Sequence, residues 1–142
     1  MVTGNTWTQG STITVSAAGF DEAQQQALNE VLSLYASITG LTFQQVDSDG
    51  QISIDFGVLH AQTAGALGLT SQITQNGQIL AAQITLEDPA EMSLVNGVYA
   101  GTDVTFAQLL THEIGHALGL SDNNLAGSNA NFYLDATNRG LS

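Results

Sequence analysis

Polar and β-branched residues alternate in GSTITVS at 10–16, the period-two pattern of a half-buried strand. The next segment, FDEAQQQALNEVLSLYASITG at 20–40, changes period: Ala27, Leu28, Val31, Leu34, Tyr35 and Ile38 recur at helical spacing. Asp21 with Gln24 three residues on reads as a capping box that starts this helix, and Gly40 is placed to end it. LTFQQV at 41–46 and QISIDF at 51–56 read as two further strands, joined by the turn chemistry of Asp47-Ser48-Asp49-Gly50. ALGLTSQIT at 66–74 and QILAAQITL at 78–86 flank Asn76-Gly77, the strongest short hairpin signal in the chain, which predicts two antiparallel neighbours. The stretch 87–103, with the only proline, reads as a connecting loop. A second helix is predicted from about Thr105 to Leu118, with Thr105 and Gln108 as another capping box and Gly119 as a left-handed stop. The remaining tail is polar and irregular. The order strand, helix, strand, strand, hairpin, helix predicts a mixed sheet backed by two helices.

Composition narrows the function more than the fold. The 142 residues suit one domain, and 43 % hydrophobic residues suit a packed core. Thirteen acids face a single base, Arg139, for a formal charge of −12. That balance excludes nucleic acid and anionic membrane as partners, since both require basic patches. Only 10 % of residues are charged, against about 25 % in typical domains, so the surface is built from Gln, Asn, Ser and Thr. That mixture, without cysteine, suits a secreted protein that does not rely on disulfides. No apolar run approaches the roughly 20 residues of a membrane span, and no signal peptide opens the chain. An export signal is therefore expected to have been removed or to lie outside this sequence.

The chemistry concentrates in LLTHEIGHALGLSD at 109–122, which holds two of the three histidines. His112 and His116 lie four apart, so one helical face presents both imidazoles to one point, half of a zinc site. Glu113 sits about a hundred degrees further round, poorly placed as an equal ligand but able to reach a water on the metal. In the His-Glu-x-x-His pattern zinc acidifies a water and the glutamate takes its proton. Catalytic zinc takes a third protein ligand. Gly119 lets the chain double back, and Asp122, six residues after His116, can approach the same point. A bare His-Glu-x-x-His also occurs by chance in unrelated helices; here the cap, the helix-ending glycine and the following aspartate would all have to coincide.

The full pattern, His-Glu-x-x-His-x-x-Gly-x-x-Asp, resembles the metzincin zinc-peptidase signature in its variant with aspartate as third ligand. VTFAQLLTHEIGHALGLSD is similar to the serralysin-like and matrixin-like branches. The resemblance implies an α+β fold, an α/β-type mixed sheet of about five twisted strands with one antiparallel edge strand, two main helices and a short irregular C-terminal part. It implies one catalytic domain over 1–142, an upper sheet part to about 119 and a lower part over 120–142. It implies zinc held by His112, His116 and Asp122, Glu113 as general base, and an extended peptide laid along the edge strand at Ala66, Leu67, Gly68 and Leu69. The negative charge of Asp122 would weaken the zinc as a Lewis acid and raise the pKa of its water, shifting the acid limb of a pH–rate profile to the right.

Two positions depart from that pattern. Metzincins carry a methionine in a turn beneath the zinc, and none follows Asp122; NANFY at 129–133 puts Asn131 or Phe132 in its place. Tyr133 then matches a tyrosine that in some branches reaches the metal or the transition state. TNRGLS at 137–142 is similar to the lead-in of a final helix in serralysin-like relatives, and the sequence stops before such a helix. Either the sequence is trimmed there or the lower part is minimal, with a partner or a second copy covering the exposed patch. Without cysteine, latency would require a segment other than a cysteine switch.

His60 is a candidate for a second metal site, although a lone histidine is more often structural. The acidic stretches at 47–50 and 88–91 are the only hints of calcium, and the first reads as a simple turn. Trp7 reads as a strand-edge anchor. The leading expectation is a zinc-dependent endopeptidase acting on peptide or protein substrates. The alternative is a catalytically weak or inactive metzincin-like zinc module that binds a protein partner. A purely structural zinc domain would need a fourth ligand, which only Tyr133 offers.

Overall fold

Both predicted capping boxes form, and they fix where the two helices begin. Helix α1 (Glu22–Thr39) starts at Asp21, whose carboxylate accepts from the Gln24 N–H while the Gln24 side chain accepts from the Asp21 N–H. Helix α2 (Phe106–Ala117) repeats the arrangement with Thr105 and Gln108. Gly40 ends α1 in the left-handed conformation. The computed structural model describes residues 5–59 and 66–120. The tail, including the lower part expected over 120–142, therefore lies outside the described residues from 121 onward.

The five predicted strands appear as β1 (Thr12–Ser16), β2 (Thr42–Val46), β3 (Ile52–Gly57), β4 (Gly68–Gln75) and β5 (Gln78–Glu87). They form one sheet in the order β2-β1-β3-β5-β4. Every pair is parallel except β4 with β5, so β4 is the antiparallel edge strand that the resemblance implies. The hairpin turns at Asn76 and Gly77, with φ of 52° and 79°, as a tight turn with two left-handed residues requires.

The stretch 87–103 is more than a connecting loop. It contains a second small hairpin, β6 (Leu94–Val95) and β7 (Val98–Tyr99), turning at Asn96-Gly97 with φ of 53° and 78°. Strands of two residues are too short to show a period, although the Asn-Gly turn was itself readable. Tyr99 is fully buried and its hydroxyl donates to the Glu87 carbonyl at 3.0 Å. Burial, reinforced by the charges of Glu87 and Asp88, holds this phenol far above the usual tyrosine range.

One face of the sheet carries Ile13, Val15, Ile52, Ile54, Ile84 and Leu86, packed in one cluster with Leu28 and Leu32 of α1 and Leu109, Leu110 and Ile114 of α2. Burying such a side chain stabilises the fold by about 1.5–3 kcal/mol. Trp7 joins this cluster, next to the bridge that Thr6 makes with Gln78 at the start of β5, and its indole N–H donates to the Ala117 carbonyl at 2.9 Å. The first described segment is thereby tied to the end of α2.

Candidate metal centre

Helix α2 is buried nearly all round. His112 and Glu113 are fully inaccessible and Thr111 is 1 % exposed, in a helix that otherwise presents Leu109, Leu110 and Ile114 to the core. The four-residue spacing brings His112 Nε2 and His116 Nε2 to 3.1 Å, with the rings edge to face.

The tautomer of His116 follows from its other nitrogen. Nδ1 lies 2.9 Å from the Leu120 carbonyl, which can only accept, so Nδ1 carries the proton. In the neutral ring Nε2 then offers a lone pair toward His112. A backbone carbonyl behind a histidine is the outer support that metal-ligating imidazoles ordinarily have. Two nitrogens converging with this support fit a zinc ion. Among the described residues no group of three His, Asp or Glu side chains gathers to hold an ion. Asp122 and Tyr133, the expected third ligand and transition-state tyrosine, lie outside the described residues, as does His60.

The carbonyl behind His116 is delivered by the way α2 ends. Leu120 N–H donates to the Gly115 carbonyl and Gly119 N–H to the His116 carbonyl, both at 3.0 Å, the paired bonds of a Schellman turn. Gly119 has φ of +97°, and a Cβ there would lie 2.3 Å from the Asn5 carbonyl oxygen. Both the turn and the close approach require glycine.

Side chains from three other elements bond to this helix. Tyr35 of α1 donates to the Thr111 carbonyl at 2.8 Å, and Gln72 of β4 to the His116 carbonyl at 2.8 Å. Trp7 adds its bond to Ala117. Thr70 of β4 donates to Glu113 Oε1 at 2.8 Å and has the Glu113 carbonyl at 3.2 Å. These residues are separated from their partners by 43 to 110 positions, and no local pattern marked them.

Of the residues expected to contact a peptide, Ala66 is half-buried and Leu67 is in the core. Gly68 lies against the side chain of Glu113, and Leu69 is exposed on the opposite face of the strand. The Leu67 carbonyl accepts from Glu87 N–H, with Gly68 opposite Leu86. The antiparallel alternation therefore turns the backbone groups of Gly68 and Thr70 away from β5, toward the outer edge of the sheet. Asp47–Gly50 forms a bend with Asp49 at φ 56°, and Asp88 accepts the Ala90 N–H within its own loop.

A comparison with curated protein sequences finds no match. Among solved structures, two of myroilysin are similar. One has a TM-score of 0.52 and 22 % identity over 84 % of this chain and 53 % of its own. The other has a TM-score of 0.51 and 20 % identity over 82 % of this chain and 46 % of its own. The chain thus spans about half the length of these structures, and at such identities the likeness is one of fold. The matrixin family model matches residues 7–138, from Trp7 through the whole His-Glu-x-x-His-x-x-Gly-x-x-Asp pattern, and the chain belongs to this family of metzincin-type metallopeptidases.

Proposed function

We propose that the protein is a zinc-dependent endopeptidase, secreted, that cleaves peptide bonds of peptide or protein substrates. The observation that carries this reading is the convergence of His112 and His116 Nε2 at 3.1 Å, with Glu113 between them in sequence and against an edge strand. His112, His116 and Asp122 would hold the ion, Asp122 by its spacing after the left-handed turn at Gly119. Zinc, when bound, supplies positive charge that acidifies a water and polarises a peptide carbonyl. Glu113 accepts the proton of the attacking water and passes it to the leaving amine. The buried, water-poor surroundings of Glu113 strengthen its interaction with that proton and keep competing water away.

β4 is an edge strand of the sheet among the described residues, and an extended peptide would be added along it as a further strand. Tyr133 is assigned to the transition state by its place in the family pattern. No helix among the described residues is long and apolar enough to cross a membrane.

Zinc-loaded protein incubated with a diverse peptide mixture, and new termini read by mass spectrometry, tests the reading. Cleavage that disappears with a chelator and in Glu113→Ala is the expected result. A folded protein that carries one zinc and cuts nothing would overturn it in favour of a binding module.

A further inference from the structure

A carboxylate on a flexible arm samples several rotamers that carry its oxygens well apart, so a general base must be aimed as well as present. Two residues of β4 constrain Glu113. The Thr70 hydroxyl has one proton to give, and the Glu113 carboxylate at 2.8 Å is a closer and stronger acceptor than the carbonyl at 3.2 Å. Two positions earlier, on the same face of the strand, Gly68 leaves room for the rest of the group. A Cβ at Gly68 would stand 2.7 Å from Glu113 Cγ, 2.8 Å from Cδ and 2.9 Å from Oε2. All three contacts are with the outer part of one side chain, so a methyl group there displaces the carboxylate before it disturbs the strand.

We propose that Thr70 and Gly68 are positioning residues for the general base, Thr70 by holding Oε1 and Gly68 by leaving the space the carboxylate occupies. The inference rests on the peptidase reading of Glu113.

The zinc-loaded wild type is compared with Thr70→Val, Thr70→Ser, Gly68→Ala and Glu113→Ala on a single fluorogenic peptide, with zinc stoichiometry and Tm measured for each. Thr70→Val should lower kcat by roughly tenfold to a hundredfold, as a misaimed group does. KM should stay within about twofold, the mark of an interaction used only in the transition state. Thr70→Ser should restore most of the loss, and Gly68→Ala should reproduce it with Thr70 intact. A Thr70→Val enzyme with wild-type kcat, or a serine variant no faster than valine, overturns the proposal. A second readout needs neither turnover nor metal: in metal-free protein labelled with carbon-13 at glutamate, the Glu113 carboxyl resonance should move in Thr70→Val and Gly68→Ala and return in Thr70→Ser. A resonance unmoved by both substitutions overturns the proposal as well. If wild type and Glu113→Ala cleave equally, the peptidase reading has failed, and the carboxyl resonance still decides whether β4 aims Glu113.

Discussion

The two helices begin with the same device and end in opposite situations. Helix α1 has a capping box, eighteen residues and four buried side chains, Leu28, Val31, Leu32 and Tyr35. Its outer face exposes Leu34 at 41 % and Ile38 at 45 %. Helix α2 has the same kind of cap and twelve residues, of which nine are buried, including Thr111, His112 and Glu113. α1 is an ordinary amphipathic helix whose polar side meets water. α2 takes polar and ionisable groups into the core, where each needs a partner from the protein. Glu113 is held by Thr70 of β4, Thr111 donates to the Ala107 carbonyl of its own helix and His112 faces His116, while Trp7, Tyr35 and Gln72 bond backbone carbonyls of α2. A site of this kind costs stability locally, and the surrounding elements offset it with directed hydrogen bonds.

Substitutions in the two helices test that contrast. The largest effect is expected in α2 at Glu113, where alanine should lower peptide cleavage by about 10²–10⁴-fold while the fold persists, read by kinetics beside circular dichroism. Retained activity would make α2 no more than a buried structural helix. Next, Leu110→Ala, at a fully buried α2 position, should cost about 2–5 kcal/mol in urea unfolding. Tyr35→Phe removes the hydrogen bond from α1 to the Thr111 carbonyl, which keeps its bond within the helix, for a loss of about 0.5–1.5 kcal/mol. A neutral result there would mean that α2 does not depend on α1 for its polar partners. The smallest change is expected on the outer face of α1, where Leu34→Ala should shift stability by no more than about 0.5 kcal/mol. Equal losses for Leu110→Ala and Leu34→Ala would erase the distinction.

The order of elements along the chain, both capping boxes and the antiparallel pairing of β4 with β5 were legible because each rests on neighbours in the chain, whereas the edge position of β4 was implied by the family resemblance and the order of strands in the sheet by neither. Asp21 needs only Gln24, and Asn76-Gly77 needs only the two strands it joins. The second hairpin at Asn96-Gly97 has no such signature, because strands of two residues carry no period to read. Within the site, His112, Glu113 and His116 were legible for the same local reason: helical spacing alone sets them around one point. The proton on His116 Nδ1 was not, because it depends on the Schellman turn bringing the Leu120 carbonyl back over the ring.

The sequence by itself determined which residues are candidates for the chemistry and the helix that presents them, since a cap, a period and a four-residue spacing act within a few turns of chain. Only the tertiary structure decided how that helix is held. Trp7, Tyr35, Thr70 and Gln72 reach it across 43 to 110 residues, and the vacant side of Gly68 faces Glu113 only once β4 lies beside α2. Such contacts have no period and no fixed spacing, because what places them is the packing of the sheet against the helix.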